Sequence, residues 1–172
     1  MRPTLTLRHY THDLIAHSHE HAQVVISLSG QLDFEVEGRP SLLRQQQLMV
    51  VPAGAHHTCG SPQGSHCLVL DVPGDNWLGQ SLGAHADASR RLLDTAGHLP
   101  LDPQQHQLVN WLATSPVSDP LIARQGAILL LALAILVVRY ASSQFPSVKI
   151  ENPHRKTGAG SSEHPEVEKG EL

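Results

Sequence analysis

Residues 31–38, QLDFEVEG, alternate without a break: Leu32, Phe34 and Val36 on one side, Asp33, Glu35 and Glu37 on the other. Side chains on a strand point to opposite faces with period two, so this segment predicts a strand with one face buried and one in water. The neighbouring segments repeat the theme at close spacing. QVVISLSG reads as a strand that ends at Gly30, and QLMVVP and HCLVLDV as two more, with turn signals at EGRP (37–40) and in AGAHHTCGSPQGS (53–65). Several short strands separated by turns predict a sandwich or barrel rather than a parallel sheet. Residues 1–73 therefore read as β.

The rest of the chain changes period. Residues 74–98 read as a connector with one short helical piece around ASRRLLDTA. DPQQHQLVNWLAT predicts a helix with Asp102 as its cap, Pro103 in the first helical position and an apolar stripe of Leu108, Trp111 and Leu112. A second helix is expected from about Pro120 to Tyr140, apolar nearly all round from Ala127 onward, so it needs cover on several sides. Its most apolar window, 127–138, is too short to span a bilayer, and no membrane segment is expected. From 142 to 172 the composition is polar and rich in Gly, Ser and Pro, and it holds all three lysines (Lys149, Lys156, Lys169); this predicts a disordered tail.

The overall balance narrows the function classes. A formal charge of −4 without a dense basic run gives no electrostatic footprint for nucleic acid. Aromatic residues are only 3% of the chain, so aliphatic side chains must fill the interior. The N-terminus has no apolar signal core, and Cys59 and Cys67 read as free thiols; both point to the cytoplasm.

The chemistry is concentrated in histidine. His17, His19 and His21 recur at every second residue, followed by Gln23, and would share one face of a strand if no bulge intervenes. Two imidazoles at that spacing can converge on one ion, and a third from a neighbouring segment, His57 or His56, would complete a set that leaves coordination positions open. Imidazole suits Zn, Fe, Ni or Cu. His21 and Glu20 read as rim residues, and Cys59 as a buried inert thiol close to the set.

These residues resemble the cupin family. Its first motif runs His-x-His, three or four residues, Glu, six residues, Gly; here it reads His17-Ser-His19, EHA, Gln23, VVISLS, Gly30. Its second motif contains Pro-x-Gly-x-x-His, which here is Pro52-Ala-Gly54-Ala-His56-His57 and makes His57 the equivalent. The resemblance implies a cupin-type β-barrel, a double-stranded β-helix or jelly roll, followed by two helices. It implies a site of His17, His19, His57 and Gln23, binding either a divalent metal or a small ligand. Three positions depart from the pattern: Gln23 replaces the acidic ligand, Gln46 stands where the second motif begins with Gly, and Ser61 replaces its closing Asn.

The order of arm, barrel, connector and two helices is also similar to the sensor and dimerisation region of AraC-type transcription regulators. That likeness implies a barrel at 1–73 that binds a small-molecule effector under an N-terminal arm, with no cofactor required. It implies a connector and helical region at 74–141 that pairs two copies through 103–140, and no specific DNA binding by this chain. The alternative is a small metal-dependent enzyme of oxygenase or isomerase class, for which Glu20, Glu35 and His66 are candidate acids or bases.

Overall fold

The structure, a computed structural model, describes residues 2–12 and 16–144, with the backbone alone for 137–144. Seven strands are followed or interleaved by four helices. The strands are β1 (Thr4–Tyr10), β2 (Ala22–Val36), β3 (Arg39–Arg44), β4 (Gln47–Val51), β5 (His57–Gly60), β6 (Ser65–Val72) and β7 (Gly97–Pro100). The helices are α1 (Asp75–Leu82), α2 (Ala86–Leu93), α3 (Pro103–Thr114) and α4 (Pro120–Gln144), with a 3-10 turn at Gly83–His85.

The segments expected as two strands on either side of Gly30 are one strand of 15 residues. Its first half lies in an antiparallel sheet ordered β1-β6-β2-β4-β7. Its second half pairs with β3 and β5 in a second sheet. The passage between sheets occurs where the register with β6 shifts between Ser27 and Ser29 and where Gly30 takes φ +77°. A bulge and a left-handed glycine bend a strand without ending it, which is why local sequence read as a stop. The β2–β3 hairpin turns through Glu37 and Gly38, both at positive φ, the twist that suits a two-residue antiparallel connection.

The two sheets face each other across an apolar interior. Val25, Met49, Val51, Cys67 and Val69 come from the first sheet, and Leu32, Phe34, Val36, Leu43 and Cys59 from the second. The expected alternation holds: Leu32, Phe34 and Val36 are buried while Asp33, Glu35 and Glu37 are exposed. The opposite face of the first sheet carries Ala22, Val24, Ile26, Leu48, Val50, Leu68 and Leu70, and the helices cover it. Strand β2 is apolar at successive positions because this half of it is buried on both faces.

Helix α3 begins as expected. Asp102 Oδ1 accepts from the Gln105 backbone N–H at 2.7 Å, Gln105 Oε1 accepts from the Asp102 N–H at 2.9 Å, and Pro103 occupies the first turn. Its buried line is Gln105, Val109 and Leu112, however; Trp111, expected in the stripe, is 54% exposed. Helix α4 lies close to α3 and β1 at Gly126, where a Cβ would meet Leu112 and Leu5 side-chain carbons at 2.8 and 2.9 Å. Ala127, Leu130, Leu131, Ala134 and Ile135 are buried, while Leu121, Leu129 and Leu136 remain exposed.

Three further expectations change. The N-terminal arm is, over Thr4–Tyr10, an edge strand fully paired to β6 in the first sheet. The connector holds two helices and β7, which pairs with β4. Helix α4 continues to Gln144 and takes in residues 142–144, assigned by composition to the tail; the tail beyond them lies outside the described residues. Among the described residues no helix is long and apolar enough to cross a membrane.

Candidate functional site

The histidine segment is not the regular strand that its spacing predicted. His17 forms an isolated antiparallel bridge with His57, donating its N–H to the His57 carbonyl at 3.1 Å and accepting from the His57 N–H at 2.9 Å. Regular pairing of this segment resumes only at Ala22, in the first sheet. The chain therefore crosses from the second sheet to the first between positions 17 and 22, and this crossing carries the cluster.

The second motif holds the crossing in place. Gly54, at φ +78°, donates its N–H to the His19 carbonyl at 2.7 Å, and Ala55 N–H closes the turn onto the Pro52 carbonyl at 3.2 Å. A left-handed residue is needed to aim that N–H, which only glycine supplies without strain. His56 is exposed, its backbone tied to Glu37 through two hydrogen bonds. His57 is buried at 3% exposure, so of the two candidates it is His57 that turns inward.

The metal-competent group is His17, His19 and His57, whose ring nitrogens lie no more than 4.8 Å apart. Ring centroids are 4.8 Å apart for His17 and His19, 4.4 Å for His17 and His57, and 5.2 Å for His19 and His57. Two nitrogens on a tetrahedral zinc stand about 3.3 Å apart, given Zn–N bonds of about 2.0–2.1 Å, so small ring rotations would close the set. Two observations show that these residues fit an ion. His57 Nδ1 is 3.1 Å from the Ala55 carbonyl oxygen, which can only accept. The proton therefore sits on Nδ1 and Nε2 is left as the ligand atom. His19 Nε2 is buried and has no hydrogen-bond partner, an arrangement that calls for an ion or ligand.

The electrostatics agree. Burial, and then the neighbouring imidazoles of His57, His17 and His21, hold His19 below the ordinary histidine value. Burial does the same for His57, partly opposed by its bond to Ala55. Both are neutral at neutral pH, the form that binds metal.

Gln23 is 3% exposed and its Nε2 donates to Asp71 Oδ1 at 2.8 Å. His21 stacks on His19 with centroids 5.0 Å apart, and its Nε2 lies 3.3 Å from Asp71 Oδ1 without hydrogen-bond direction. Asp71 was missed from sequence; the signal available was a lone acid within the apolar run HCLVLDV. The candidate acids and bases Glu20, Glu35 and His66 are all exposed, and His66 instead stacks on His9 at 4.2 Å beside Ser29. Cys59 lies in the barrel core, where burial pushes its thiol up to about 12, and it takes no part in the metal-competent group.

Residues 7–73 match the Cupin domain family, Cupin_2. An uncharacterized HTH-type transcriptional regulator of Bacillus subtilis, YobQ, is 36% identical over 66 residues, which are 38% of this chain and 27% of that regulator. Among solved structures, a conserved protein of unknown function from Streptococcus pyogenes superposes with a TM-score of 0.41 at 20% identity, covering 43% of this chain and 67% of that one. A cupin-2 domain protein from Shewanella frigidimarina does so with a TM-score of 0.39 at 17% identity, covering 41% and 71%. The family match takes in both histidine motifs and runs from within β1 to the end of β6, the part of the chain that forms the facing sheets described above.

Proposed function

We propose that this chain is the small-molecule-sensing and pairing module of an HTH-type transcription regulator. The observation that carries the reading is the 36% identity to a regulator of that class over 66 residues. Two features of the structure support it. Buried polar groups, His57, Gln23 and the His19 ring nitrogen, collect at one crossing between the sheets, as an effector site requires. The helical layer on the outer face of the first sheet leaves Leu129 and Leu136 exposed seven residues apart on α4, with Leu121 and Trp111 also exposed. Burying those residues against a second copy, through 103–140, gives a homodimer. The chain senses and pairs in the cytoplasm and does not itself bind a specific DNA site.

The test is a thermal-shift screen of small metabolites and divalent ions with light scattering in parallel. The reading expects a dimer, dissociated by Leu129→Glu, and a ligand that raises the melting temperature, since any ligand of the native state does so. A monomer that no compound stabilises overturns it.

One observation favours a second reading. Three imidazoles with converging nitrogens are also the protein part of a catalytic metal centre. Zinc, iron, nickel or copper held by His17, His19 and His57, with Gln23 as a fourth ligand, would supply Lewis-acid or redox chemistry. The residues themselves would hold the ion and, through the apolar interior behind them, limit water. Stoichiometric metal after purification without chelator, with turnover of an oxygen-bearing substrate, would decide for the enzyme.

A further inference from the structure

Asp71 has no role in either reading, yet it is a carboxylate at 9% exposure on β6, between Leu70 and Val72. A charge in such a place needs partners. Thr4 Oγ1 donates to its Oδ2 at 2.7 Å and Gln23 Nε2 to its Oδ1 at 2.8 Å. Thr4 and Gln23 are its direct cross-strand neighbours on β1 and β2, so the sheet register itself sets these contacts. His21 Nε2 stands 3.3 Å from Oδ1 and Arg8 Nη2 3.9 Å from Oδ2.

The pairing fixes the amide. A carboxylate accepts only, so Gln23 must turn its NH2 to Asp71, and its Oε1 then faces away from Asp71. The carboxylate that the cupin pattern has at position 23 stands here one strand across, at 71. We propose that Asp71 is the counter-charge and positioning residue of the histidine site: it orients Gln23, holds His21 against His19, and favours a cation bound by His17, His19 and His57. The same contact explains why position 23 is an amide. A glutamate there would bring two carboxylate oxygens within 2.8 Å, a spacing at which both do not ionise together. The inference rests on the metal-competent reading of the trio.

The test is zinc titration calorimetry at pH 7.5 on the full chain, with thermal melts of the metal-free protein, for wild type, D71N, Q23E and the Q23E/D71N pair. Wild type binds one zinc per chain. D71N keeps an acceptor oxygen for Gln23, melts close to wild type, and binds zinc about tenfold or more weakly, the size of effect seen when an outer-shell partner is removed. Q23E lowers the metal-free melting temperature by roughly 5 °C or more. The pair, which exchanges the two groups, restores the melting temperature and binds at least as tightly as wild type. Equal affinity in D71N and wild type, or a pair no better than Q23E, overturns the proposal and leaves the metal reading intact. Wild type without zinc binding overturns both. If D71N does not fold, the pair decides, because the proposal requires it to fold and bind.

Discussion

Substitution of Gly30 by alanine tests the continuity of β2 from one sheet to the other. Gly30 has φ +77°, and a Cβ built there would sit 2.3 Å from the Gly64 carbonyl oxygen and 3.1 Å from the Ser65 Cα. Both neighbours are backbone, in the turn before β6 and at its first residue, so no side chain can rotate aside. The left-handed conformation costs a non-glycine residue about 1–2 kcal/mol. Forcing the β2–β6 backbones apart adds about 1–3 kcal/mol, as other overpacked substitutions do. The sum is about 2–5 kcal/mol. At about 3 °C per kcal/mol for a chain of this size, the melting temperature should fall by about 6–15 °C. Gly38 is the control: its φ is +73°, but nothing lies within 4 Å of a Cβ there. Gly38→Ala bears only the conformational penalty, partly offset by reduced freedom of the unfolded chain, and should cost about 1 kcal/mol or less. Circular-dichroism melts of the two variants side by side give the answer. Equal shifts would mean that β2 does not pass Gly64 at this distance, and the two-sheet path derived for it would be wrong.

Gln46 holds φ +69° at an exposed position, so Gln46→Gly should be neutral or stabilising by up to about 1 kcal/mol in urea unfolding, whereas a non-glycine residue in ordinary geometry would lose stability. Cys59 and Cys67 are buried, with burial raising both thiols, so neither should react with a thiol reagent at pH 8 until the protein unfolds, when two react. His19 and His57 are held below 6.5 in the fold, so above about 6.5 they are neutral whether folded or not. Below it the unfolded chain takes up protons first, and stability falls with the pH. The melting temperature should therefore drop between pH 7.5 and 5.5, and drop less in a His19→Asn, His57→Asn double variant; an unchanged slope would contradict the assigned environment.

The sequence disclosed those parts of the fold governed by short-range patterns. The alternation of Leu32, Phe34 and Val36, the Asp102 cap with Pro103, and the start of α4 near Pro120 are all local effects, and all appear as expected. What failed was tertiary. Gly30 carries the ordinary signal for a strand end, and only pairing with β6 on one side and β3 and β5 on the other makes it a bend. β1 is an isolated arm until β6 lies beside it. Trp111 and Val109 stand about 200° apart around α3; both sides of the helix are thus apolar next to Leu112, and only tertiary packing chooses the Val109 side. In the candidate site, His17, His19 and His57 were legible from motif spacing. The predicted reason, a shared strand face, is replaced by the His17–His57 bridge and the Gly54 contact to His19. Asp71 went unread because its meaning depends on being opposite Gln23, a pairing across 48 residues.

His17 and His19 from one segment and His57 from another bring their ring nitrogens within 4.8 Å, a convergence that one ion would use. Counting bound nickel or zinc per chain by calorimetry, in wild type, His19→Asn and His57→Asn, tests it most directly. One ion per chain is expected in wild type and loss of that binding in each variant, with all three proteins folded by circular dichroism. Binding in His57→Asn that equals wild type would show that the 17–19 segment acts alone, and the convergence of the two motifs on one centre would be refuted.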